Sequence, residues 1–464
     1  MPKKKNVSVA AVRKSNSRGR KSKLSTKLLG MKDLLGEDSR YYDGIVAKAR
    51  EFARLYGFSS VKTPIMESYD LYKKSRRRES GREFYSVEAE KGQKTILRPE
   101  LTQGIIRAYI NNQSPEDTNP GVSRLFSLGP VFRRDKLQTG HYRQSTQADW
   151  EIIGDDKPLT EALLIALAYN FFNELGIKFQ LQINSIGDSE CRREYCSKLV
   201  GFYRERGHRS KLCNQCKLEV GKNCLSLLDC KEEGCVQLHQ EAPQIADYLS
   251  VESREHFTKT LEFLDELNID YNFNPYLVRG LNYYNDTVFE FWPINEKGEI
   301  LDRLSLAGGG RYDSLMEDLS GTATPAVGLA IGLERTLTRI KDKLVLDKKT
   351  EDNLVFLAQL GGQAKIKAAQ LFVELYQAGF RIRQSLASDS LKAQLEEATF
   401  LQARTSLILG KKEIMDGTVL MRDMDSGSQE TVVYKKIKDR LSKKDKLIEK
   451  RINNRKEGGL YGRL

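Results

Sequence analysis

The chain has 464 residues, 39% of them hydrophobic, and a formal net charge of +13. That length predicts two or three domains with sizeable cores. No run approaches eighteen consecutive apolar residues, which argues against a membrane-spanning helix, and the N-terminus lacks the continuous apolar run of a secretory signal. The charge is concentrated at the ends. Residues 1–27 hold ten Lys or Arg and no acid, and residues 435–464 hold twelve Lys or Arg against four acids, so the intervening chain is mildly acidic. Basic tails of this kind favour a polyanion such as nucleic acid; solubilising disorder is the competing reading. Five of the seven cysteines lie between residues 213 and 235. An odd number in a large chain suggests thiols in a reducing, cytoplasmic compartment with a metal site in the cluster, not a disulfide scaffold.

In chain order, a turn-like "GMKDLL" leads into an amphipathic helix from about residue 37 to 56. "SSVKTPIMES" follows as a strand with Pro64 near its end. Two-strand patterns recur in "REFYSVEAEKGQKTILRPE" and "RLFSLGPVFRRDKLQTGHYRQSTQADWEIIG", with helices at "LTQGIIRAYINN" and "PLTEALLIALAYNFFNELG". This is an α+β pattern with an antiparallel sheet, not a repeating βαβ pattern. Residues 190–260 change to a charged, helical, cysteine-containing insertion. "LVRGLNYYNDTVFEFW", residues 277–292, reads as a strand, a tight turn at Asn285-Asp286 and a second strand. "AVGLAIGLERTLTRIKDKL" is a strand running into a helix. Past a charged linker, "LVFLAQLG", a helix, "GFRIRQSL", a helix, "RTSLILG" and "TVLMRDM" form a small α/β domain.

Three arginines stand at sheet or strand-to-helix positions: Arg133, Arg279 and Arg335. Arg279 lies in an otherwise apolar run, and a buried charge is costly unless something pairs with it. Either a ligand or an internal acid must do so. Gln147, Asp149 and Glu151 share one side of a strand, with Ala148, Trp150 and Ile152 on the other; the polar side could simply be solvated. Glycines 308 to 310 would let backbone pass close to a ligand, or make an ordinary bend. No GxxxxGK[ST] or GxGxxG phosphate loop is present. In the cysteine cluster, Cys213, Cys216, Cys230 and Cys235 approach the spacing of a structural zinc site, with Cys224 or His239 in reserve.

Taken together, the ordered segments "GMKDLL", "VKTPIMES", "GPVFRRDKLQTGHYRQSTQ", "LVRGLNYYNDTVFE", "AGGGRYD" and "AVGLAIGLER" resemble the class II aminoacyl-tRNA synthetases, and among them the histidyl-tRNA synthetase family. The resemblance covers roughly residues 28 to 435. It implies a class II antiparallel sheet flanked by helices, a catalytic domain over 28–345 interrupted at about 190–260, and a C-terminal α/β anticodon-binding domain over 353–435, with residues 1–27 and 436–464 as basic tails. It implies histidine, ATP and tRNA(His) as partners, Mg²⁺ with ATP, and a homodimer. On the matching positions it implies that Arg133 binds the α-phosphate, Arg335 the γ-phosphate, and Arg279 the α-phosphate and the histidine carboxylate. Arg133 and Arg279 would be catalytic, and Asp135 would join the ATP site. Glu100, Thr102 and Gln147 would accept the α-ammonium. Glu151 and Tyr284 would hold the imidazole, with Tyr283 as an alternative that a bulge at Gly280 would reconcile. The family does not require zinc. Arg134-Asp135-Lys136 stands where His-Glu-Arg is common, and Ser145-Thr146 where Phe-His is usual. Asn282 replaces a common Asp, and Asn285-Asp286 a Thr-Gly turn. Synthetase-like regulatory subunits are expected to lose the anticodon domain and the arginine at 279; this chain has both.

Overall fold

The computed structural model describes residues 27–73, 84–88, 92–113, 121–134, 142–230, 232–281, 283–302, 304–340, 354–385 and 390–444. The basic tails lie outside the described residues apart from Lys27 and residues 436–444. So do Asp135, Lys136, Asn282 and the linker at 341–353. The chain divides after residue 344 into two compact units.

The first unit contains strands β1 (Ser59–Ser60), β2 (Met66–Ser68), β3 (Ser86–Glu88), β4 (Lys94–Leu97), β5 (Ser123–Phe132), β6 (Gln144–Ile153), β7 (Phe179–Ser185), β8 (Asn272–Phe273), β9 (Asn285–Pro293), β10 (Ala307–Arg311) and β11 (Ala326–Gly332). Eight of them form one sheet in the order β1-β5-β6-β11-β10-β9-β7-β8. Its pairings are antiparallel except at the two edges, where β1 and β8 run parallel to their neighbours. β2, β4 and β3 make a small antiparallel sheet of their own.

One face of the large sheet is apolar because strand alternation sends Ala148, Trp150 and Ile152 there together with Leu329, Ile331, Phe289 and Phe291. Helix Glu37–Leu55 turns Ile45, Ala49, Phe52 and Ala53 towards it, a spacing that keeps one helical stripe apolar. Its acids Glu37 and Asp38 and its terminal Arg54 complement the helix dipole. Helix Pro158–Glu174 starts on a proline, whose fixed φ suits the first turn, and buries ten side chains. Trp150 packs on Phe126 and Phe171 at ring-centroid distances of 5.0 and 6.4 Å. Each Ile, Leu or Phe buried in this layer stabilises by about 1.5–3 kcal/mol.

Two local expectations are corrected. The segment "SSVKTPIMES" is not one strand: Pro64 separates β1 from β2, which join different sheets, as a residue without an N–H ends a ladder. Residues 277–292 are not a hairpin. Only β9 is a strand, and residues 277–281 are irregular. Their backbone is tied by the Asn184 amide, which donates to the carbonyls of Pro275 and Leu277 at 3.3 and 3.0 Å. The bulge lies at Gly310/Arg311, opposite Asn285, not at Gly280. Asp286 takes the left-handed conformation there, with φ 48°.

Between β7 and β8 the chain is helical: Ser189–Arg204, Arg206–Lys211, Asn214–Glu219, Glu233–His239 and Val251–Glu266. The second unit holds β12 (Val355–Gln359), β13 (Ile382–Gln384), β14 (Thr405–Leu409), β15 (Thr418–Asp423) and β16 (Gln429–Val433) in the order β13-β12-β14-β15-β16. β12 is parallel to β13 and β14, and the other two pairings are antiparallel. Helix Gly362–Gln377 packs on one face and helix Leu391–Phe400 on the other, which leaves β12 and β14 fully buried. β16 carries one buried residue in five, so it offers no apolar alternation from which to read a strand.

Candidate active site and a four-cysteine cluster

The polar face of the large sheet has a floor almost without side chains. Gly328, Ala330 and Gly332 of β11 sit opposite Glu151, Asp149 and Gln147 of β6. Gly308 and Gly310 of β10 sit opposite Glu290 and Val288 of β9. A Cβ on Gly328 would collide with the Glu151 carboxylate, and one on Gly308 with the Arg279 guanidinium. These glycines make room for the protein's own charged groups above the sheet.

Glu151 is only 1% exposed and Asp149 0%, so this face is buried and the solvated reading fails. The Thr102 hydroxyl donates to Glu151 Oε1 at 2.8 Å and the Tyr312 hydroxyl to Oε2 at 2.6 Å. Burial pushes Glu151 up to about 8, against the pull of those two hydroxyls, and the nearby Glu100 charge adds to the rise. Glu100, also buried, accepts the Gln103 backbone N–H at 3.1 Å where helix Thr102–Asn111 begins. Neither carboxylate oxygen of Asp149 has a hydrogen-bond partner, nor does Gln147 Oε1, although all three atoms are buried. Burial, then the Glu151 and Glu100 charges, hold Asp149 well above the usual carboxylate range; Arg133 and Arg98 oppose them.

Tyr283 and Tyr284 are both buried, with ring centroids 4.8 Å apart. Tyr283 lies 5.7 Å from the Tyr312 ring, and the Arg279 guanidinium stands 5.4 Å over the Tyr284 ring. Arg279 is also ion-paired: its Nη1 donates to Glu290 Oε1, and each side chain is 16% exposed. Glu290 Oε2 accepts the Trp292 indole N–H at 2.7 Å. Burial works against the Arg279 charge, but Glu290, Tyr284 and Tyr283 together outweigh it and raise the guanidinium pKa. The sequence left a ligand or an internal acid to offset the burial of Arg279, and the resemblance pointed to the ligand. An internal acid already does so, while the buried Arg279 Nε has no partner.

Arg133 follows β5 directly and donates from Nε to the Pro99 carbonyl at 2.7 Å. Arg335 lies in the first turn of helix Leu333–Ile340, after β11, and donates to the Ser305 carbonyl at 2.9 Å. The ends of β5 and β11 both pair with the first half of β6, so the two arginines leave the sheet at the same end. Asp135 lies outside the described residues. The structure thus joins Glu100, Thr102, Glu151, Tyr283, Tyr284 and Arg279 in one buried network, with Gln147 and Asp149 on the same strand face.

Sequence reasoning missed Glu290, Trp292 and Tyr312. A lone acid in the aromatic run "VFEFW", close to a lone arginine, was the available signal for Glu290. Arg311, in the "AGGGRYD" signature, belongs elsewhere. It is buried on the helix side, where Nε donates to Glu161 Oε1 at 2.8 Å and His256 Nε2 meets the same oxygen at 2.6 Å.

In the helical segment, the sulfurs of Cys213, Cys216, Cys230 and Cys235 all lie within 4.8 Å of one another. Cys224 is not in this set: it forms a disulfide with Cys196, which corrects the expectation that all the cysteines are reduced. His239 is not in it either. Among the described residues, no helix is long and apolar enough to cross a membrane.

Comparison with known proteins agrees with this geometry. The sequence model of the histidyl-tRNA synthetase family matches residues 30–336, and that of an anticodon-binding domain matches 354–444. A histidine–tRNA ligase of Thermosipho melanesiensis is 38% identical over 408 residues, covering 87% of this chain and 95% of that protein. One from Dehalococcoides mccartyi is 38% identical over 407 residues, covering 87% and 96%. The crystal structure of apo S. aureus histidyl-tRNA synthetase superposes with a TM-score of 0.72 at 29% identity, covering 90% of this chain and 99% of that one. The chain belongs to the histidyl-tRNA synthetase family of aminoacyl-tRNA ligases.

Proposed function

We propose that the buried polar face is where this ligase activates histidine with ATP to histidyl-adenylate and then transfers the histidyl group to the 3′ end of tRNA(His). The observation that carries this reading is Glu151. It is a buried carboxylate fixed by two hydroxyls, and it can accept from one imidazole nitrogen while a tyrosine hydroxyl meets the other. Tyr284 or Tyr283 would supply that hydroxyl. Gln147 and Glu100, with Thr102 beside them, would take the α-ammonium. Arg279 would bind the histidine carboxylate and the α-phosphate through the N–H groups that Glu290 leaves open.

Adenylation gathers negative charge on the phosphoryl oxygens, so catalysis rests on positioning and cationic stabilisation. Arg133 would serve the α-phosphate and Arg335 the γ-phosphate, both from one end of the sheet, with Asp135 nearby in sequence. Mg²⁺, when bound with ATP, would neutralise phosphate charge. The second unit would bind the anticodon stem, and the basic tails would add salt-sensitive phosphate contacts. The exposed apolar residues Leu28, Leu29, Ile65 and Met66 support a homodimer that covers the region of the first class motif. A cytoplasmic location fits these substrates.

The test is ATP–pyrophosphate exchange with each of the twenty amino acids, followed by tRNA charging. Exchange with histidine alone supports the reading. Exchange with another amino acid, or with none, overturns it.

A further inference from the structure

We propose that Cys213, Cys216, Cys230 and Cys235 hold a structural zinc ion that staples together the short helices of the insertion. This site is separate from the catalytic face and does not depend on how that face is read.

Zinc bound to four thiolates at about 2.3 Å in a tetrahedron sets the sulfurs about 3.8 Å apart. Cys213 Sγ and Cys230 Sγ are 3.9 Å apart, and no pair in the set exceeds 4.8 Å. Disulfide partners sit at about 2.05 Å, so this is not a pair of bridges. The backbone is arranged to favour sulfur anions. The Cys216 N–H points at Cys213 Sγ at 3.4 Å, and the Cys213 N–H at Cys235 Sγ at 3.2 Å. Four soft sulfur donors suit zinc and disfavour magnesium, calcium or manganese. A complete Cys₄ shell leaves no position for water or substrate, which marks the site as structural.

The local architecture needs such a staple. Helices Arg206–Lys211, Asn214–Glu219 and Glu233–His239 have six, six and seven residues. Isolated helices of this length do not persist in water. The cysteines come from three places: the start and body of the second helix, the turn before the third, and the third helix itself. One ion therefore ties a segment of more than twenty residues at both ends. Binding releases the four thiol protons to solvent and involves no change of oxidation state.

Full-length protein, expressed with zinc and purified without chelators, is expected to contain one zinc per chain. Stepwise mercurial modification of the folded wild type should release that zinc as about four thiols react. The double variant Cys216→Ser/Cys235→Ser should lose it, whereas Cys191→Ser, outside the cluster, should keep it. Absence of zinc from the wild type, iron in its place, or zinc retained in the double variant would overturn the proposal. If the double variant does not fold, the mercurial titration decides: zinc that stays bound after those thiols react also overturns it.

Discussion

The two faces of β6 are made by alternate residues of one ten-residue strand, yet they do opposite things. Ala148, Trp150 and Ile152 belong to one apolar cluster with residues of the helices at 37–55, 158–174, 251–266 and 333–340 and of the neighbouring strands. Asp149 and Glu151 are as buried and Gln147 is half-buried, but their polar atoms are left partly unmatched, above a floor of glycine and alanine. On the first face every contact is made within the protein. On the second, buried acceptors without partners carry a standing desolvation cost, which a ligand that donates hydrogen bonds relieves. Burial alone does not separate structure from function here, nor does a single unmatched polar atom, since the buried Trp150 indole N–H also has no partner; what sets the second face apart is three unmatched acceptor atoms of Gln147 and Asp149 grouped on one strand.

That contrast can be broken at several points. Trp150→Ala should cost about 3–5 kcal/mol of stability by leaving a cavity against Phe126 and Phe171. Denaturant unfolding measures it, and the surviving folded fraction should keep its KM for histidine. Arg279→Lys keeps a cation for Glu290 but removes the planar fork. It should lower the exchange rate a hundredfold or more, about 2.7–4 kcal/mol in the barrier, with little change in melting temperature. Gly328→Ala should cost about 1–3 kcal/mol, because the new methyl must displace the Glu151 carboxylate. Its signature is weakened histidine binding without weakened ATP binding.

The last effect is a pH dependence, small per pH unit. Glu151 titrates at about 8 in the folded chain against 4.5 as its ordinary value. Below about pH 4.5 both states hold the proton and its contribution is intact. Stability is then lost as pH rises through the window up to about 8, by at most about 1.4 kcal/mol per pH unit. Glu151→Gln should flatten that slope in thermal scans; an unchanged slope would assign it to another group.

Much of this was legible in the sequence because it rests on strong local signals. The period-2 pattern of β6, the helix stripe at 45, 49, 52 and 53, and the long hairpin β5–β6 all follow from alternation and turn chemistry. The ordered motifs placed Glu100, Thr102, Glu151 and Arg279 together before any coordinates. What was not legible depends on contacts between distant strands. The lone acid Glu290 near a lone arginine was a signal, but a hairpin reading did not bring the two together, since the pairing requires residues 277–281 to leave the sheet. The glycines at 308 to 310 read as a close approach of backbone to a ligand or as an ordinary bend, whereas Gly308, like Gly328, leaves space for side chains from other elements. β16 was invisible because an exposed edge strand carries no apolar alternation. The Cys196–Cys224 pair lies on two separate helical elements, and spacing alone could not match them.

The central claim is that the buried carboxylate of Glu151 reads the substrate and does not merely complete the fold. Histidine-dependent ATP–pyrophosphate exchange by Glu151→Gln, measured well below its melting temperature, tests it most directly. Leaving a buried imidazole N–H without its acceptor costs about 1–3 kcal/mol, which predicts a roughly five- to hundredfold rise in the KM for histidine, with the KM for ATP unchanged. An unaltered histidine KM in a folded, ATP-binding variant would contradict the account.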